Sequence, residues 1–183
     1  MMHKTSLALT PAALLLLIAS GTTQAASNAQ LTVTANVVAS TCDILLSTNN
    51  LDLGNHAQSM FTSVATPVAA SNKTFKISLN NCDAPAASKV ASVAITGKTL
   101  GGYPTLFNTT DTNTGITFNK VGSSEYLKSG DELVLASADG ESPKAADFNG
   151  KSLSLQAGLA SSVTSGIDIG AVSAPVLFSF AYN

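Results

Sequence analysis

Apolar residues recur at every second position in short runs along the chain. Leu31, Val33, Ala35 and Val37 form the first run, then Phe75, Ile77 and Leu79, then Ala91, Val93 and Ile95. Ile116 with Phe118, Leu133 with Leu135, and Leu153, Leu155, Ala157 and Leu159 continue the pattern. The last run is Val176, Phe178, Phe180 and Tyr182, with Leu177, Ser179 and Ala181 between them. A period of two sends alternate side chains to opposite faces, so each run predicts a strand with one buried face. Between the runs lie "STNN", "GGYP", "NTTDTNTG", "ADGESP" and "SSVTSG", all turn and loop chemistry. No run keeps a helical period, and short strands punctuated in this way predict a β-sandwich. No internal repeat or linker divides the chain.

The start of the chain has a different pattern. "MMHKTSLALTPAALLLLIASGTTQA" carries His3 and Lys4, an apolar stretch around Ala12 to Ala19, and small residues at Thr23 and Ala25. This is the layout of a secretory leader, expected over residues 1–25, with the exported protein beginning near Ala26. The apolar stretch falls short of the roughly 20 residues that a membrane-spanning helix needs.

Composition narrows the function classes. Charged residues make up only 11 % of the chain, and Asp plus Glu (11) slightly outnumber Lys plus Arg (9). Every basic residue is Lys, and no basic stripe offers itself to nucleic acid or an anionic membrane. The exported part has the size of one domain with one core. Its two cysteines, Cys42 and Cys82, read as one disulfide in an oxidising compartment. In the chain-entropy picture, closing a loop of 40 residues removes roughly 4 kcal/mol of unfolded-state freedom. A structural zinc site needs four ligands, and beyond the leader only these cysteines and His56 are on offer.

Motifs for chemistry fail one by one. "SVAITGKT" has Ser92 where a phosphate-binding loop needs Gly, and it lies in an alternating strand that runs into "LGGYP" instead of a helix. "DTNTG", Asp111 to Gly115, lacks the ligands of a calcium loop and reads as a polar surface loop. His56 has no nucleophile motif near it and reads as a surface residue. Asn72-Lys73-Thr74 and Asn108-Thr109-Thr110 match a glycosylation pattern that is common by chance in a chain this rich in Asn and Thr. No enzyme activity and no cofactor are expected.

Four features stand in a telling order: the leader; "AQLTVTANVVASTC", an alternating segment running into Cys42; "FKISLNNCD", a strand running into Cys82; and "GAVSAPVLFSFAYN", opening on Gly170 and closing with Tyr182 next to last. In this order the chain resembles pilin subunits of the bacterial chaperone-usher pathway, of the type 1 and P pilus kind. The resemblance implies an all-β, incomplete immunoglobulin-like sandwich of six strands that lacks its seventh. A groove is then left beside the terminal strand, and a strand from another molecule fills it, first from a periplasmic chaperone and later, at an outer-membrane usher, from the next subunit. It further implies a donor-strand extension over residues 26–37, a pilin domain over 38–183, export through the periplasm, and a place in a fimbrium on the cell surface that supports adhesion.

The residues suit that role. A strand that fills another molecule's core presents apolar side chains on one face, as Ala29, Leu31, Val33, Ala35 and Val37 do, with Gln30, Thr32, Thr34 and Asn36 between them. Burying Leu31, Val33 and Val37 contributes about 5 to 9 kcal/mol before ordering costs. By periodicity alone the same run is equally the domain's own first edge strand. The family usually has Gly where Ala35 stands. In the terminal strand, Val176, Phe178, Phe180 and Tyr182 are expected to meet first the chaperone's strand and then the next subunit's, while the chaperone's basic residues hold the Asn183 carboxylate. The alternative is a stand-alone secreted immunoglobulin-like binding module, with every strand of the sandwich its own.

Overall fold

The computed structural model describes residues 42–85, 89–138 and 142–183. The expected leader, the run Ala29–Val37 and the boundary at residue 38 lie outside the described residues.

The described chain is built of strands, with three single turns of 3-10 helix at Gln58–Met60, Ala69–Ser71 and Ala145–Asp147. The strands are β1 (Asp43–Leu46), β2 (Lys73–Asn80), β3 (Val90–Gly97), β4 (Thr99–Leu100) and β5 (Tyr103–Phe107). They continue as β6 (Thr114–Lys120), β7 (Glu132–Ser137), β8 (Ser152–Ser161) and β9 (Val176–Tyr182). Six of them form one sheet in the order β1-β2-β8-β6-β5-β4, and three form the other in the order β7-β3-β9. Every pairing is antiparallel. The expected all-β sandwich is thus present, and the alternating runs after residue 70 fall in β2, β3, β6, β7, β8 and β9.

Two pieces lack the clean alternation. In β1, "DILL", Leu45 interrupts the period, so Ile44 and Leu46 face the core while Leu45 is exposed. "GGYP" reads as a turn, yet only Gly101 and Gly102 make one, with Gly102 at a φ of +78°, while Tyr103 and Pro104 already belong to β5.

The core lies where the two sheets face each other. Phe75, Ile77 and Leu79 of β2 and Leu155 of β8 pack toward Val93 and Ile95 of β3 and Leu133 of β7. Phe148, from the loop before β8, and Phe107, at the end of β5, are fully buried among them. Phe75, Phe107 and Phe118 meet edge to face, with ring centres 6.2 Å and 5.2 Å apart. A smaller cluster of Phe61, Val68 and Ile167 sits apart from this core.

A strap from Ala65 to Ser71 carries that second cluster. Its backbone continues the edge of β8 beyond β2: Ala65 N donates to Ser161 O at 2.7 Å and Val68 N to Leu159 O at 2.8 Å. Ser71 Oγ, buried, accepts from Leu159 N and donates to Val68 O, both at 2.7 Å. Gly158 allows the strap to come this close. A Cβ there would stand 2.7 Å from Pro67 Cβ and would also run into Asn72 Oδ1. Gly158→Ala is therefore expected to lower unfolding free energy by about 1–3 kcal/mol, measured as an earlier urea midpoint. An unchanged midpoint would show that the strap is free to shift.

Candidate functional site

The last strand has a partner on one side only. β9 pairs with β3 in an unbroken register from Ala91↔Tyr182 to Gly97↔Val176. Among the described residues no strand pairs with its other edge. The same holds for β1 in the larger sheet, which pairs only with β2, from Asp43↔Asn80 to Leu46↔Ile77. β1 and β9 lie close together, so two edges that are free among the described residues, one from each sheet, border the same side of the sandwich. A closed sandwich would pair or cover both.

Side chains record the gap. Val176, Phe178, Phe180 and Tyr182 all point inward and pack against the core, yet each is only half-buried. Their neighbours Leu177, Ser179 and Ala181 face outward and are exposed. Phe178 lies against Phe75 with ring centres 6.0 Å apart. The four residues singled out from the sequence thus form one continuous face.

Beside that face runs a trough. Its first part, about 460 Å³, lies between Leu46, Leu51 and Leu53 on one side and Val176 and Phe178 on the other, with Phe118 among its lining. Its second part, about 660 Å³, extends past Leu53 toward Phe61, Leu159, Ile167 and Ile169. Leu51, Leu53, Ile116 and Val172 line both parts, so the two are continuous. Gly170 borders the second part at a φ of +155°, a backbone angle that residues with a Cβ rarely adopt.

The other end of β9 is filled. Tyr182 stacks edge to face on Phe148 and Phe180 at 5.2 Å and 4.8 Å. Its hydroxyl donates to Asp83 O at 2.9 Å and touches Cys42 Sγ at 3.4 Å. Cys42 and Cys82 form the expected disulfide, which ties the start of β1 to the residues after β2. Tyr182 therefore connects the bridge to the terminal strand. Asn183 closes the same corner: its side-chain amide donates to Ser92 Oγ at 2.7 Å and Glu132 Oε2 at 2.6 Å, lacing β9 to β3 and β7.

Asp52, His56 and Asp168 are the ionisable side chains along the trough, all in its second part. Its polar lining is mainly uncharged, and among the described residues no group of three or more His, Cys, Asp or Glu could hold a metal ion. His56 is half-buried at the mouth of the second part, where Nε2 donates to Leu53 O at 2.8 Å. The loop at "NTTDTNTG" is not the open polar loop expected from its composition. Asn108 is 1 % exposed, and its amide donates to Thr112 Oγ1 at 3.0 Å and to Thr114 O. Leu51, Leu53 and Ile169 were not singled out from the sequence. Leu51 and Leu53 carry a weak signal in their spacing; Ile169 carries none.

A sequence model of the family described as fimbrial protein matches residues 17–183. The chain belongs to the fimbrial protein family. No curated protein matches. Among solved structures, the chain is similar to the P pilus rod subunit PapA, with 22% identity over 84% of this chain and 99% of that one, at a TM-score of 0.54. It is also similar to a subunit in a structure of a chaperone-usher pilus that reveals the basis of rod uncoiling, with 18% identity, coverage of 86% and 97%, and a TM-score of 0.50. At these identities the structures support the fold. Family membership makes the chain a structural, non-enzymatic subunit of surface pili that assembles with other subunits.

In this fimbrial subunit the pKa of the Tyr182 hydroxyl is raised above its ordinary value, first by burial and then by the nearby Asp83 carboxylate. A raised pKa leaves its stabilising effect whole below about pH 10, the unfolded value, and removes it as pH rises through the folded value. Tyr182→Phe is expected to cost about 0.5–1.5 kcal/mol at neutral pH by loss of the bond to Asp83. The difference between the two chains should shrink in urea titrations above pH 10. A constant difference across that range would separate the hydroxyl from the alkaline loss.

Proposed function

We propose that the trough beside β9 accepts an extended strand from a neighbouring subunit, and that residues 29–37 of this chain are such a strand for the next copy. The observation that carries the reading is the pair of edges, β1 and β9, that no strand covers among the described residues, with half-buried Val176, Phe178, Phe180 and Tyr182 along the inner face of β9. An inserted strand supplies what this side of the sandwich lacks: backbone partners for β9 and apolar cover for its inner face.

The segment and the trough are chemically matched. Ala29, Leu31, Val33, Ala35 and Val37 present one apolar face, and no charged residue occurs from Ala26 to Cys42. The trough's side walls are likewise apolar, with Leu46, Leu51 and Leu53 opposite Val176 and Phe178. Donor and acceptor are different surfaces of one molecule, so the contact is heterologous and copies extend into an open filament.

An uncovered trough exposes apolar surface and a strand edge, which favours aggregation of a lone subunit. In this reading a periplasmic chaperone covers the trough during export, holding the Asn183 carboxylate with basic residues, and an outer-membrane usher hosts the exchange. The finished fibre lies outside the cell and supports adhesion. A stand-alone binding module would need both edges closed by its own strands.

Removing residues 26–35 separates the two roles. The trimmed chain should take up a synthetic peptide of residues 29–37 yet form no filaments under conditions where the full chain does, as seen by electron microscopy and sedimentation. Filaments of normal length from the trimmed chain would rule out the proposed donor.

A further inference from the structure

The segment that carries the chain from β8 to β9 is fastened up to Asp168 and again at Ser173, with no backbone hydrogen bond between them among the described residues. At its start, Asn113, in the loop before β6, and Asp168 exchange hydrogen bonds: Asn113 N donates to Asp168 Oδ2 at 2.8 Å, and Asp168 N donates to Asn113 Oδ1 at 3.0 Å. Asn113 Nδ2 adds a bond to Gly166 O at 2.8 Å. The Asn113 carbonyl accepts from Ser162 N at 2.8 Å and Ser161 Oγ at 3.1 Å, anchoring the clip to the end of β8. At the far end, Ser173 O accepts from Thr109 N at 2.8 Å and Thr109 Oγ1 at 3.0 Å. Both fasteners come from the same loop, which the buried Asn108 stiffens through Thr112 and Thr114.

Ile169, Gly170, Ala171 and Val172 lie between the fasteners, and among the described residues none of the four makes a backbone hydrogen bond. All four border the second part of the trough. Ile169 is 88 % exposed, beside unfilled space bordered by Leu53, Phe61 and Leu159. The lining there is mixed, and a large aliphatic side chain left in water gains by moving against its apolar part, Leu53, Phe61, Leu159 and Ile167. What opposes that movement is the clip at Asp168, one residue away, together with the buried Ile167, whose carbonyl accepts from Gln58 Nε2, and the bond at Ser173.

The geometry points to the Asn113–Asp168 pair as a positioning device that keeps Ile169 out of its own subunit's trough, and so keeps the trough open to an incoming strand. This rests on the donor-strand reading above and adds to it the residues that set how readily the strand enters. With the clip broken, Ile169 turns inward and occupies the space. The competent fraction of the subunit then falls, and the observed association rate falls with it.

The test uses the full exported chain at low concentration and a fluorescent synthetic peptide of residues 29–37, with association followed by stopped flow. Asp168→Ala and Asn113→Ala are each expected to slow peptide association by about ten-fold, with little change in urea midpoint. Asp168→Asn keeps an acceptor and should stay close to the native rate. Adding Ile169→Ser to Asp168→Ala should bring the rate back, a rescue that a general loosening of the fold would not give. Equal rates in the native chain and both alanine variants, or a slow rate that Ile169→Ser fails to relieve, would overturn the clip alone. Absence of peptide uptake by the native chain would overturn the donor-strand reading and this inference together.

Discussion

Everything in this subunit turns on a strand that is hydrogen-bonded along one edge only. β9 is held to β3 by a full register, and its other edge has no strand beside it among the described residues. A β-sandwich is stable because two sheets bury each other's inner faces and their edges are paired, covered or blunted. Here the inner face of β9 carries an aromatic-rich row, Val176, Phe178, Phe180 and Tyr182, that the fold leaves half in water. On the donor-strand reading, such a row costs stability in a lone molecule and returns it when a second molecule binds. The stability of the subunit is therefore linked by mass action to whatever fills the trough.

An open groove in a small domain tends to collapse, so its persistence needs a cause. One end is propped by the disulfide, which fastens the short β1 beyond what its single ladder provides, and by Tyr182, wedged between that bridge and Phe148. The other end is propped by polar bonds from one loop to the connection before β9. The roomier part of the trough lies near this second prop, and the filled end of β9 lies near the first. A groove of uneven depth is read by side-chain size along the entering strand, because large groups gain most where the space is deep.

Much of this was legible in the sequence, because a strand with one wet face writes itself as alternation. Phe75, Ile77 and Leu79, and Val176, Phe178, Phe180 and Tyr182, are each assignable to one face from their spacing alone. The disulfide followed from an even count of cysteines behind an expected leader. Other features left no local trace. Leu45 masks the period of β1, and the β4–β5 hairpin hides behind glycines and a proline that also suit a loop. Asn113 and Asp168 sit 55 residues apart, in stretches whose composition says only that they are polar. Pairings of that kind are set by the tertiary fold. The row of β9 shows a further limit: alternation marks a face that seeks burial, and it does not say whether the covering surface belongs to the same molecule.

The position of the disulfide bears on how a fibre built by strand insertion carries load. On the donor-strand reading, tension reaches each subunit through the segment that ends at Cys42. Without a bridge, the pull would fall on β1, a four-residue edge strand with one partner, and would peel it from β2 one pair at a time. The bond from Cys42 to Cys82 lets the force bypass β1 and enter at the end of β2, which is flanked by β1 and β8. Peeling then gives way to loading of a longer ladder, the pairs from Lys73↔Ala157 to Ser78↔Ser152, together with the core residues behind it. Forced unfolding is governed by the unfolding barrier rather than by equilibrium stability. A single covalent shortcut at the entry point can therefore protect a fibre far more than its contribution to the stability of the free subunit suggests.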